Sequence, residues 1–274
     1  MNRLVCLIMA LLVLTVAPRA FAEDDGALHD QFYVALGTFA FSADTELRLD
    51  GSLGQSGTDV DWERDLGLKD KNSFRIDSFW RFAEHHKLRL MYFGNKRTSS
   101  KALARDLVID GETYPVDAVV AASTDVRILE LVYEYAFMRR ESYELSATAG
   151  VHMTGMEPGL EITGSINNTP VDIGQAADAK LDAPLPVLGV RGLWQLSENF
   201  DLDAHAQYFF MSYDDFDGSI VDYRIALTWT PNAWAGIGIG YNSFSTRIDV
   251  GKDRFNGKLD WTYKGPQIFV SASF

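Results

Sequence analysis

Residues 127–137, RILELVYEYAF, put Leu129, Leu131, Tyr133, Tyr135 and Phe137 on one side of an extended chain and Glu130 and Glu134 on the other. A two-residue period is that of a β-strand, whose successive side chains point to opposite faces. The rhythm recurs in 31–41, 74–82, 87–95, 143–152, 186–194, 201–210, 221–229, 235–244 and 267–274, which predicts ten strands. In AGIGIGY (235–241), Gly236, Gly238 and Gly240 alternate with Ile237, Ile239 and Tyr241. A phosphate-cradling loop would need G-x-G-x-x-G spacing and a helix after it, whereas NSFSTRIDV follows. The glycines are therefore expected on the inner face of a strand, leaving room for long arginines or aromatic rings.

The connections alternate in length. Those at 83–86, 138–142, 197–199 and 231–233 are short, while those at 42–73, 96–125 and 153–185 are long, acidic and rich in Gly and Asp. Two further links on the long side, at 213–218 and 249–257, are shorter. Short turns at one end and long loops at the other fit a closed up-and-down barrel that crosses a membrane, with its two ends in different compartments. Within 103–120 the chain reads as a strand pair turning at Asp110-Gly111. Pairing there or in 160–173 could raise the strand number to 12, and merging weak segments could lower it to 8.

The amino-terminal stretch sharpens this picture. Arg3, an apolar run from Leu4 to Val16, and the small residues Ala20 and Ala22 read as a secretory signal peptide over 1–22, cleaved after Ala22. The run is 13 residues, short of the roughly 20 that a spanning helix needs. Residues 23–274 form one domain and hold no apolar run of that length, so a membrane span has to be built from strands. Cys6, the only cysteine, leaves with the leader. Arg3 and Arg19 leave too, which takes the net charge from −13 to −15 and argues against a nucleic-acid partner.

Turning the apolar faces toward lipid sends the opposite faces into the lumen. The interior then receives Arg75, Asp77, Arg81, Arg89, Glu130, Glu134, Glu144, Arg191, Asp203, His205, Gln207, Asp222 and Arg224. Five arginines against six carboxylates predict a bonded plug, because charges stripped of water persist only when paired. Arginine is expected as the only cation there, apart from His205. Aromatic residues near strand ends form two expected girdles: Trp80, Phe82, Tyr135, Phe137, Trp194, Trp229 and Phe274 below, and Tyr92, Tyr208, Tyr213, Tyr241, Trp261 and Tyr263 above.

Phe274 closes an alternating strand with Ile268, Val270 and Ala272 on its face. Together with the signal peptide, the ten alternating segments and the absence of cysteine after the leader, it makes the chain resemble the small outer-membrane β-barrel proteins of Gram-negative bacteria. The resemblance covers the whole mature chain in pattern more than in motif. It implies an outer-membrane location, lipid and lipopolysaccharide as surroundings, Phe274 as the signal to the barrel assembly machinery, a monomer, and no cofactor. Some ten-strand members are proteases with an aspartate pair and a histidine–aspartate pair at the extracellular rim. By that analogy His152, Asp214, Asp215 and Asp217 are rim candidates, where a carboxylate and an imidazole could activate water. The alternative to such an enzyme is a structural or surface-interaction barrel, or a narrow solute passage, and the absence of any further motif favours it. No His-x-Ser arrangement, Walker motif, zinc cluster or nucleophile elbow is present. The loop DVDWERD (59–65) lacks calcium-loop spacing, and His85-His86 fall in an inner turn.

Overall fold

A computed structural model describes residues 27–40, 42–50, 56–69, 72–109, 112–116, 118–166, 169–178, 181–213, 216–232, 234–252 and 255–274. The expected signal peptide, Asp110-Gly111 and the rim candidates Asp214 and Asp215 lie outside them. Ten strands form the wall: β1 in two runs, Phe32–Ala40 and Ser42–Leu49, then β2 Asn72–Ala83, β3 His86–Ala102, β4 Val119–Arg139, β5 Tyr143–Ile166, β6 Leu181–Ser197, β7 Phe200–Tyr213, β8 Phe216–Asn232, β9 Ala235–Lys252 and β10 Phe255–Ser273. Each is antiparallel to the next, and β1 pairs with β10 as well as β2, so the sheet closes. Closure is reinforced where the Phe274 carbonyl accepts from the Gln31 and Phe32 amides at 2.7 and 2.9 Å. A closed ladder leaves no unpaired edge at the join, the condition for a sheet to sit in hydrocarbon.

The segments that left the strand number open do not add to the wall. Leu107–Ile109 pairs with Glu112–Tyr114 as a separate ribbon, and Thr169–Asp178 folds back on the upper end of β5. The strands are much longer than the ten-residue segments of the sequence. A tilted strand crosses a bilayer in about 9–11 residues, whereas β4 has 21 and β5 has 24. The excess lies at the long-loop end, so the barrel rises well beyond the membrane.

Side-chain exposure marks where the membrane ends. Along β4, Phe137, Tyr135, Tyr133 and Leu131 are exposed and apolar, and then Arg127 is exposed and paired with Asp125 at 2.9 Å. On β9 and β10 the exposed Ile237, Ile239, Ile268 and Val270 give way to the Arg247–Asp260 pair. The outward face thus changes from apolar to polar partway up each strand. The inward face changes the opposite way.

Trp80, Phe82, Tyr135, Phe137, Trp229 and Phe274 of the lower girdle are exposed on the outer surface, as are Tyr92, Tyr208 and Tyr241 of the upper one. Trp194 is half-buried and covers Gly192. Trp261 and Tyr263 do not belong to a girdle. They are 2% and 0% exposed, inside the barrel. The reason is parity: Phe269 and Gln267 point inward, and two-residue steps along β10 bring Tyr263 and Trp261 to the same face.

Candidate functional site

The lower lumen, at the level of the apolar belt, is an ionic floor. Glu144 on β5 is met by Arg81 at 2.8 Å, Arg139 at 3.1 Å and Lys87. One level up, Glu134 lies between Arg89 at 2.7 Å and Arg191 at 2.8 Å. The Arg191 Nη1 also donates to both oxygens of Asp203, at 2.7 and 2.9 Å, and Arg224 reaches Asp203 at 3.3 Å. Arg75 grips Asp77 with two parallel bonds of 2.8 and 2.9 Å, and donates to Asn242 Oδ1 at 2.6 Å. Two-bonded guanidinium–carboxylate pairs are the strong form of this contact and fix orientation as well as charge.

His205 joins these clusters. Arg191 Nη2 lies 2.9 Å from its Nδ1 and Asp222 Oδ2 lies 3.2 Å from its Nε2. Arginine can only donate, so Nδ1 accepts, and Nε2 carries the proton that it gives to Asp222. Asn242 Nδ2 donates to the other Asp222 oxygen at 2.8 Å. Glu130, also buried, is held by Gln207. Five strands thereby share one hydrogen-bonded net from Arg75 to Arg191.

Every lumen residue named from the sequence therefore faces the interior, and all but Asp203 are at most 8% exposed. Arginine is not the only cation among them, however: Lys87 is 2% exposed and sits on Glu144. It occupies the inward position two residues before Arg89, so the alternation of β3 already assigned it to the lumen. Arg139 was missed because the turn was expected from 138, whereas the strand runs to Arg139; Asn242 lies within 235–244 on the face of Gly240 and carries no charge to mark it.

The strand-nine glycines also point inward. A Cβ on Gly238 would lie 2.0 Å from the Phe269 ring, and one on Gly240 would lie 2.8 Å from the Gln267 amide. The ring they admit comes from the adjoining strand, where Phe269 is the register partner of Gly238. Arg224 covers that ring at 5.4 Å. Below the floor a cavity of about 60 Å³, lined by Lys87, Arg191, Arg224, Thr228 and Ser271, opens at the short-turn end. It has room for a few waters.

Above the floor the lumen is apolar. Phe93 on β3 stacks on Tyr263 of β10 at 5.0 Å, Tyr263 on Phe244 of β9 at 5.1 Å, and Phe244 on His152 of β5 at 4.9 Å. This row of four rings crosses the barrel from wall to wall. Over it lies the first long connection, whose Val60, Trp62, Leu66 and Leu68 are at most 3% exposed and pack among Leu47, Val120, Ile248 and Leu259. The plug is tied down by Glu63, which accepts from the Thr45 amide at 2.7 Å and pairs with Arg97, and by Ser99 donating to the Leu66 carbonyl at 2.8 Å. DVDWERD is thus a cork whose acids engage arginines: Asp61 pairs with Arg64 at 3.3 Å and Asp65 with Arg105 at 2.7 Å. Among the described residues no group of three or more His, Cys, Asp or Glu could hold a metal.

No protein-family model matches the sequence, and no curated protein matches it either. Solved structures do match. The outer-membrane protease OmpT from Escherichia coli is similar over 90% of this chain and 98% of its own, with 10% identity and a TM-score of 0.58. The translocator domain of the autotransporter NalP from Neisseria meningitidis covers 89% of this chain and 88% of its own, with 9% identity and a TM-score of 0.46. The attachment invasion locus protein Ail of Yersinia pestis covers 89% of this chain and 97% of its own, with 9% identity and a TM-score of 0.34. The chain has the fold of the Gram-negative outer-membrane β-barrel proteins.

Of the rim candidates, the two among the described residues, His152 and Asp217, do not come together. His152, placed at the rim by the sequence, is 0% exposed and lies in the ring row, with Nδ1 3.0 Å from Thr154 Oγ1. It sits inside because β5 continues for fourteen residues beyond it, so the expected strand end is its middle. Asp217 is exposed near the top of β8, opposite Ser212 and Asp249 in register. A carboxylate and an imidazole that share neither face nor height cannot act on one water.

Proposed function

We propose that this outer-membrane barrel is a sealed, non-enzymatic protein whose role is structural or lies in interactions at its extracellular surface. The filled lumen carries this reading. An ionic floor and an apolar roof lie in series, each made of side chains that water scarcely reaches. Solute passage would have to break both. The upper strands then serve as a stalk that lifts the loops above the lipid headgroups. Against a protease-like or lipid-modifying rim enzyme stands the inward position of His152.

Refolded protein in planar lipid bilayers tests the reading. No discrete current steps are expected from the parent barrel, and His152→Ala should leave cell-surface phenotypes unchanged while loop deletions impair them. Stable conductance steps in the parent would overturn the sealed reading. Loss of a measurable turnover in a His152→Ala barrel that still folds would restore the enzyme.

A further inference from the structure

The wall itself has a break. The β6–β7 ladder runs from Ser197–Phe200 up to Leu188–Tyr208. Above that pair no residue of β6 is joined to β7 among the described residues, although Pro184–Val187 and Phe209–Ser212 are extended strand on either side. Each strand keeps its other neighbour over this stretch, β6 with β5 as far as Leu181–Met156 and β7 with β8 as far as Tyr213–Phe216. The separation is therefore local to one seam.

The sequence supplies its cause. Gln195 donates its amide to Ser142 on the β5 side at 2.9 Å, and the β6–β5 register runs unbroken from Trp194 to Leu181. Amides of odd-numbered residues on β6 therefore face β5, and those of even-numbered residues face β7. Pro184 and Pro186 are even-numbered and have no N–H. Both missing donors fall on the β7 side, so the ladder to β5 is spared and the ladder to β7 loses the β6 donors that would extend it past Leu188.

The seam lies at the upper margin of the apolar belt, starting just above Tyr208 of the upper girdle. Pro184 and Pro186 stand opposite Met153 and Val151 of β5, each 43% exposed on the outer surface, and Phe210 across the seam is 60% exposed. Behind it the lumen is the apolar tier, where Leu185 and Val187 are 2% and 1% exposed and Leu185 is the register partner of His152. Unpaired carbonyls in hydrocarbon are unfavourable unless something covers them. The outer face beside it, with Val151, Met153 and Phe210, is still apolar and meets the upper ends of the lipid chains, and the prolines disfavour addition of a further strand to the β6 edge.

We propose that the β6–β7 seam is a lateral binding site for an acyl chain of the surrounding bilayer lipid, entering the apolar tier between Pro186 and Phe210. It is independent of whether the floor is sealed to ions. Trp62 and Trp261 are buried in this tier, and Trp261 reaches the seam through Phe244, 5.6 Å away, and His152. The other four tryptophans, Trp80, Trp194, Trp229 and Trp234, can be changed to Phe to leave these two as reporters. Folded barrels of that variant, verified by heat-modified gel mobility, are placed in phosphatidylcholine vesicles with plain or brominated chains. Brominated chains are expected to lower the emission, and adding Pro184→Val/Pro186→Val, which returns both donors and lets β6 zip to β7, is expected to abolish the loss. Equal emission in the two lipids would overturn the proposal, as would quenching unchanged by the valines. Cross-linking of Phe210→Cys to a second copy on oxidation would also overturn it, by placing a strand of another chain in the seam.

Discussion

The lower and upper halves of this barrel are built from one alternating pattern used in opposite senses. In the membrane, Leu131 and Tyr133 of β4 face lipid while Glu130 and Glu134 face in; higher on the same strand, Arg127 and Asp125 face water while Ile128 and Val126, at 0% and 1% exposure, face in. The backbone does not change and the period does not slip. What changes is the solvent outside, and each half buries the side chains that its own surroundings reject. A charge inside the lower half has no water to return to, so it is held by partners, as Glu134 is by two arginines. The upper half behaves like an ordinary soluble β-structure wrapped around its own core.

The comparison breaks most sharply when a charge is removed from each half. Glu134→Ala leaves Arg89 and Arg191 short of a shared partner in the lumen and is expected to destabilise by about 3–5 kcal/mol. Asp125→Ala, which deletes an exposed partner of Arg127, is expected to change stability by less than about 1 kcal/mol. Urea unfolding of the refolded barrels, followed by tryptophan emission, reads both, and equal effects would abolish the distinction between the halves.

Packing in the floor is tested next. Gly238→Ala drives a methyl into the Phe269 ring, 2.0 Å from the new atom, and should destabilise by about 1–3 kcal/mol. Adding Phe269→Leu should recover part of that, since the clash is with the ring alone. Failure of the second change to help would mean that the glycine serves the backbone instead.

The smallest expected effect lies in the cork. Burial pushes the Asp65 carboxyl up, but hydrogen bonds from Arg64 and Arg105 outweigh it and hold it below the usual carboxylate range. A lowered folded value stabilises above the unfolded pKa, about 3.9, and that contribution fades as pH falls below it. Exposure of both arginines limits the gain to well under about 1 kcal/mol. Amide exchange over residues 60–68, corrected for intrinsic rate, should quicken between pH 6 and pH 3 in the parent and be flat in Asp65→Asn.

How legible all this was depends on the half in question. The ten strands, their order and the polar side chains of the floor could be read from alternation, because in the membrane a single strand shows its lipid face plainly. The upper half was obscured by the same criterion. Searching for apolar positions that face lipid ends a strand where the outer face turns polar, so β5 was expected to stop at His152 and the histidine was assigned to a rim. Had the two-residue step been carried on from Gly240 through Asn242 to Phe244, and from Gln267 to Tyr263, the ring row would have appeared as one inner face. The Trp62 cork was not readable in this way, since a loop inserted into a barrel mouth has no period. Nor was the seam: Pro184 and Pro186 are visible in the sequence, but the edge on which their missing donors fall depends on pairing.

The central claim is that two seals lie in series, and single-channel recording tests it most directly. Glu130→Ala/Arg191→Ala opens the floor and leaves the roof, while Trp62→Ala/Phe244→Ala/Trp261→Ala opens the roof and leaves the floor. Silent bilayers are expected for the parent and for each variant alone, and discrete conductance steps only when the two sets are combined. Steps from the floor variant alone would contradict the claim, because they would mean that the rings and the cork exclude no ions.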